Sequence, residues 1–537
     1  MRHPTLLPGR LACGVAAALL LACTLALPLA RAATPSAAVA WLSAAADADI
    51  ERALAQARSE RKPLLLYWGA SWCPPCNQLK ATLFNRADFI DRAKSFVAVH
   101  IDGDLPGAQQ LGTRFKVRGY PTMVLMRADG TEITRLPGEV DAPQVMAVLQ
   151  LGLAGGRPVA AVLADARAGK PVSGPEWRLL AYYGWDIDEA QLVAAEQRPA
   201  LLAQLAQRCP ASEAQARTRL QLKALAEHDA AKSGPPDAAL RTRVAKLLAD
   251  PVASRAQMDV LSNQATDITK ALAPLPGPQR QALTGAFDTA LQRLQADASL
   301  SRADRLGALA ARVMLARIDQ PADSRQPTLP AALVQQVRAH VARDDQQTSN
   351  AYERQVVVPG GAWLLGQAGL WAESDALLQA NLAKSHAPYY LMSQLGSNAQ
   401  MLGQTDAALR WHALAYDKSE GPATRLQWGQ SYLSALVALV PQDAERIERL
   451  AQQLLAEAAL DRAAFHERSA RSLQRMASKL SDWNQGGQHS AVLQRLHGGP
   501  QGLAAVCNKL DATDPQRATC DGIAKALLKK PAAAATG

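Results

Sequence analysis

The sequence predicts an α/β domain followed by a long all-α region. Three observations carry this expectation. Apolar runs at 64–68, 96–101 and 123–126, with a further strand pattern at 132–136, all fall in the first third of the chain. Helical spacing fills the intervals between them. Beyond Gly155-Gly156 and Pro158, helical segments continue to the end with no convincing strand.

Ala44 to Arg61 opens the domain with Ile50, Ala53, Leu54 and Ala57 at helical spacing. Leu64 to Trp68 is apolar throughout, as expected of a strand covered on both faces. Trp72-Cys73-Pro74-Pro75-Cys76 follows at once and begins a helix. Phe96 to Ile101 is the second buried strand, closed by Asp102-Gly103-Asp104. A further helix precedes Met123 to Met126. That strand is joined to Glu132–Leu136 by a turn with Asp129-Gly130, a hairpin signal. Asp141 and Pro143 then start a helix through Val145, Val148 and Leu149. The order is helix, strand, helix, strand, helix, strand, strand, helix.

The all-α region is punctuated by Gly234-Pro235-Pro236, Pro274–Pro278, Pro359-Gly360-Gly361 and Gly421-Pro422, breaks suited to antiparallel helix pairs. Leu365-Gly366-Gln367 and Leu402-Gly403-Gln404 recur before Ala/Leu-rich helices, which resembles tetratricopeptide-type repeats with an irregular period. The reading is an all-α helical-repeat solenoid over 158–525 and a disordered tail at 526–537.

At 537 residues the chain needs more than one core, and aromatics at 5% with abundant Ala, Leu, Gln and Arg favour helices. Residues 1–32 read as a secretory signal peptide: Arg2 and Arg10, an apolar stretch from Leu11 to Leu29, and Ala30-Arg31-Ala32. Leu20-Leu21-Ala22-Cys23 resembles a lipoprotein cleavage site, so anchoring at Cys23 is the lesser alternative. Setting aside the leader's three arginines lowers the net charge from +10 to +7. Acidic and basic residues alternate on the helices, so no nucleic-acid partner is expected.

Five cysteines remain: Cys73, Cys76, Cys209, Cys507 and Cys520. Cys73 and Cys76 sit where a buried strand gives way to a helix. The unpaired N–H groups and the dipole of the helix N-terminus there favour a thiolate. A zinc site would need two more ligands, and no second Cys-x-x-Cys or close His pair supplies them. Redox exchange is the expectation, with no metal and no cofactor beyond the dithiol. Cys507 and Cys520 read as a structural disulfide joining two helices, and Cys209, before Pro210, as a buried free thiol. His100, at a strand end, reads as structural rather than as an acid or base.

Trp72 to Cys76, the later Phe115–Thr122 ending in Gly119-Tyr120-Pro121-Thr122, and the strand order resemble the thioredoxin superfamily over residues 40–153. Leu66–Trp72 and Thr82–Asn85 look like secreted bacterial members, nearest the C-terminal domain of the thiol:disulfide interchange protein. The resemblance implies a thioredoxin fold in which Cys73 attacks a disulfide and Cys76 resolves the adduct. It also implies a cis bond before Pro121 and a substrate groove lined by Trp72, Tyr120 and Pro121. Core packing is the other reading of Trp72. One departure stands out: Tyr67 occupies the place where thioredoxins carry a buried acid. Pro74-Pro75 removes N–H donors from around the sulfurs and favours a reducing role.

The expected function is therefore a periplasmic thiol:disulfide oxidoreductase. Its partners would be client proteins with thiols or disulfides and an unidentified redox partner, such as a membrane electron donor. The alternative is a helical-repeat scaffold or chaperone whose thioredoxin domain docks peptides.

Overall fold

The computed structural model describes residues 38–529 except 139, 189–190, 230–233 and 235. The expected signal peptide, Cys23 and positions 530–537 lie outside those residues.

Strands without a polar face end up in the middle of the sheet. A short edge strand that the sequence did not signal, β1 (Leu42–Ser43), pairs in parallel with β3 (Val97–Asp102). β2 (Leu64–Gly69) lies parallel to β3 with Leu64 opposite Val97, and antiparallel to β4 (Thr122–Met126) with Leu64 opposite Met126. β5 (Glu132–Leu136) closes the hairpin, giving the order β1-β3-β2-β4-β5. Every residue of β2 is buried, as its uninterrupted apolarity requires.

Five helices accompany the sheet: α1 (Asp47–Glu60), α2 (Pro74–Thr82), α3 (Ala87–Ala93), α4 (Ala108–Phe115) and α5 (Ala142–Leu153). Ile50, Leu54, Leu111 and Phe115 of α1 and α4 pack on Leu64, Leu66 and Val99 on one face. Leu79, Phe89, Val145 and Leu149 of α2, α3 and α5 pack on Leu65, Met123 and Leu125 on the other. The segment after the dithiol, expected as one helix, is two. Leu83 and Phe84 turn inward and are buried, and the Phe84 N–H bonds back to Leu79 O at 2.9 Å.

Beyond α5 the described residues form helices and no further strand, apart from an isolated bridge between Val117 and Asp188. Gly155-Gly156 ends the sheet topology without ending the core. Val162, Leu163, Trp177, Trp185 and Leu202 continue the same apolar cluster that holds α2 and α5.

The breaks at Pro274–Pro278 and Gly421-Pro422 fall between helices, but Pro359-Gly360-Gly361 does not. Pro359 lies inside the Ala351–Gln367 helix. A proline there forfeits one helical hydrogen bond, and tertiary packing outweighs that cost. Val357, Val358, Leu364 and Leu365 are buried, and the Pro359 carbonyl accepts from Gln394 Nε2 at 3.1 Å. A Cβ on Gly361 would lie 3.0 Å from Val341 Cγ1, so this glycine permits a close helix approach rather than a turn. The two Leu-Gly-Gln copies are likewise not equivalent: Gly366 is helical, whereas Gly403 has φ +74 just past the Pro388–Met401 helix.

Cys507 and Cys520 are bonded and join the Leu503–Asn508 helix to the Pro515–Leu527 helix, with Cα atoms 5.6 Å apart. The expected disorder from 526 needs correction. Leu527 is buried in the helical core, and Lys529 O accepts a 2.6 Å bond from the Ser481 hydroxyl.

Candidate functional site

The central strand β2 delivers the chain to the dithiol just past its C-terminal end, where Cys73 is the N-cap of α2. Pro74 and Pro75 have no N–H, so the first donor the helix offers belongs to Cys76. It reaches Cys73 Sγ at 3.2 Å. Cys73 and Cys76 are bonded to each other, with Cα atoms 5.3 Å apart. Asn77, fully buried, fastens this turn: its Nδ2 donates to Ser71 O at 2.7 Å and to Cys73 O at 2.9 Å. Its part in the site went unread in the sequence, where one asparagine in a helix carries no signal.

The Tyr120-Pro121 bond is cis, and Pro75, Tyr120 and Pro121 share the wall of a cavity of about 80 Å³. Tyr120 Oη accepts from Gln109 Nε2 at 2.8 Å, and the same amide donates to Gly103 O at 2.6 Å. Gly103 is dictated by this contact, since any Cβ there would collide with the Tyr120 hydroxyl.

Trp72 packs, as its core reading expects, against the apolar clusters of both the sheet domain and the helical region. It belongs to the joint between the sheet domain and the helical region. Its ring stacks on Tyr390 (6.0 Å between centroids, 19° between planes), meets Trp428 edge-on at 5.1 Å, and faces Tyr120 at 6.5 Å. Its Nε1 donates to Asp104 Oδ2 and Thr424 Oγ1, both at 2.9 Å. Arg468 lies over the Trp72 ring at 5.1 Å and the Tyr120 ring at 5.3 Å, and its guanidinium pairs with Asp104. Gly421, at φ +81, makes room: a Cβ there would sit 2.7 Å from Asp104 Cβ. Further ties run from His386 Nε2 to Ser71 O (3.0 Å) and from Gln78 Nε2 to Asp304 Oδ1 (2.8 Å). The helical region thus covers the face bearing the dithiol, and Cys73 is only 3% exposed. Asp104, Thr424, Arg468 and Tyr390 were invisible to sequence reasoning because hundreds of residues separate the partners.

Behind the dithiol, Tyr67 is buried, its hydroxyl has no hydrogen-bond partner, and its ring stacks on His100 at 5.0 Å. Burial, with the Asp102 charge adding to it, holds the phenol well above its ordinary range, so it stays protonated at neutral pH. Burial and then the Lys80 charge push His100 down to about 4, which leaves it neutral. Cys209 is buried, and burial pushes its thiol up to about 11, far from reactive thiolate character.

A family model described as a thioredoxin-like domain matches residues 50–152, the stretch holding Cys73, Cys76 and Pro121. Thioredoxin H4 of Arabidopsis thaliana is 33% identical over 87 residues, covering 16% of this chain and 67% of that protein. The chain belongs to the thioredoxin family. Its thioredoxin-like domain is also similar to the thiol:disulfide interchange protein DsbD of Pseudomonas fluorescens, 32% identical over 107 residues, 19% of this chain and 18% of that one. The disulfide bond reductase DsbH of Chlamydia pneumoniae is 26% identical over 99 residues, 16% of this chain and 57% of DsbH. The chain spans about a fifth of the length of the interchange proteins it matches. Each of these three similarities covers less than a fifth of this chain.

Proposed function

We propose that the protein is a periplasmic thiol:disulfide oxidoreductase that reduces client disulfides through Cys73 and Cys76. One observation supports this above the rest: the Cys73–Cys76 pair sits bonded at the N-terminus of α2, beside the cis Tyr120-Pro121 of a thioredoxin-like domain.

In the reduced protein the Cys73 thiolate attacks one sulfur of a client disulfide. The client S–S bond breaks, a mixed disulfide forms, and the leaving sulfur takes up a proton. Cys76 then gives up its proton and attacks Cys73 Sγ. This frees the second client thiol and leaves the Cys73–Cys76 disulfide, so two electrons have passed to the client. A dithiol protein must restore the reduced form. The reducing direction draws support from the two prolines, which leave Cys76 N–H as the nearest backbone donor to Cys73 Sγ. It also draws on the relative named a disulfide bond reductase. The periplasmic assignment rests on the leader pattern at 1–32 and on the interchange and reductase relatives. Among the described residues no helix is long and apolar enough to cross a membrane.

Replacing Cys73 with Ser removes the attacking sulfur. Insulin disulfide reduction by the purified protein should fall to the background rate. Turnover at the wild-type rate would overturn the proposal and favour a helical scaffold with a peptide-docking thioredoxin-like domain.

A further inference from the structure

We infer that the open cavity between Pro74-Pro75 and the helical region binds an extended, largely uncharged stretch of a client polypeptide and leads it past the dithiol. The inference rests on the redox reading above and adds the class of substrate. The cavity measures about 1090 Å³, just above the range for small-ligand sites, about 300–1,000 Å³.

The composition of its wall selects the occupant. Tryptophans 363, 371 and 428 alternate with amides such as Gln367, Gln394 and Gln427, and among the lining residues there is one carboxylate, Asp267, and no cation. A wall without Lys or Arg does not attract nucleic acid. Gln394 Nε2 already donates to Pro359 O, but its buried Oε1 has no partner, and covering such an acceptor with a lipid tail is costly. Backbone N–H and C=O groups supply such partners, and aromatic rings take apolar side chains. A polypeptide offers both.

Continuity with the dithiol decides the length. Pro75 lines the large cavity and also the small one at Tyr120-Pro121. A chain lying in both would cross the segment that carries Cys73. A compact small molecule would fill one and have no use for the other. The charged groups of the smaller cavity are paired among themselves, Arg219 with Asp259 and Lys223 with Asp186, so its wall too favours no net charge.

Gly307 offers a test. It lines the large cavity from the Arg302–Ala316 helix, and a Cβ there would meet nothing within 4 Å. In Gly307→Trp the Cβ is therefore accommodated and the indole is carried by a cavity-lining position, and Gly307→Ala is the control. Two probes are used with the full-length protein. Insulin is the polypeptide disulfide, and 5,5′-dithiobis(2-nitrobenzoate) is a small disulfide with no need of the cavity. In Gly307→Trp, kcat/KM for insulin should fall about tenfold or more, roughly 1.4 kcal/mol, while the small disulfide stays within about twofold of wild type. Titration calorimetry with insulin B chain, its cysteines carbamidomethylated, reads docking without chemistry and should show the same loss. Unchanged insulin kinetics, equal loss toward both disulfides, or B-chain binding unaffected by the indole would each overturn the inference. A wild-type protein inert toward both disulfides but still binding the blocked B chain would instead overturn the redox reading and leave the docking site standing.

Discussion

The thioredoxin-like domain and the helical region divide the work differently from how they divide the chain. The first holds the reactive sulfurs within a four-residue stretch. The second has no comparable motif, yet it supplies Tyr390, Thr424, Trp428 and Arg468 to the face over those sulfurs. Chemistry here is local in sequence, whereas access to it is set by contacts of very long range. A thioredoxin-like domain whose catalytic-face tryptophan is held by another region cannot be understood from its own hundred residues.

The largest effect should come from breaking the joint. Arg468 and Asp104 are 10% and 12% exposed, and removing one partner of such a pair leaves the other charge short of solvent. Arg468→Ala should lower stability to urea by about 3–5 kcal/mol. Adding Asp104→Asn should restore part of the loss, because the stranded carboxylate is then gone. A change below about 1 kcal/mol would mean that the pair behaves as an exposed surface bridge, and the joint would then rest on its aromatic contacts and its remaining hydrogen bonds.

A smaller effect separates the two disulfides. Cys507 and Cys520 close a loop with a sequence separation of 13 inside an apolar helical core. Replacing both with Ser should lower unfolding stability by about 3 kcal/mol, the chain-entropy expectation for a loop of that size. Insulin reduction at 25 °C should remain within about twofold of wild type, since neither sulfur borders the dithiol face. Loss of reduction in the folded double variant would make this pair a second redox relay and collapse the contrast between the regions.

The middle of the sheet was legible in the sequence because its central strands are apolar on both sides. Leu64 to Trp68 could hardly be anything but a central strand, and the Asp129-Gly130 hairpin carries its own turn chemistry. The two-residue edge strand β1 was not legible, since Leu42-Ser43 is too short to show a period. Pro359 misled for a physical reason: a proline-glycine run reads as a break, but Gly361 is there to admit Val341 and the helix continues. Of the site, the two cysteines announced themselves by spacing, and Tyr120 and Pro121 through the family resemblance. Asn77, Asp104 and Arg468 did not, because a lone polar residue acquires meaning only when tertiary contacts give it a partner. Tyr67 was recognised as a departure from its family. Its ring is buried and stacks on His100, and its hydroxyl has no hydrogen-bond partner, so no ionised group stands at this position.

The most direct measurement is a trap. With Cys76 replaced by Ser, the adduct on Cys73 has no resolving thiol, so reduced protein mixed with insulin should accumulate a mixed disulfide. Mass spectrometry should map it to Cys73 alone, and dithiothreitol should release it. No adduct on Cys73, or an adduct formed equally on Cys209, would contradict the account.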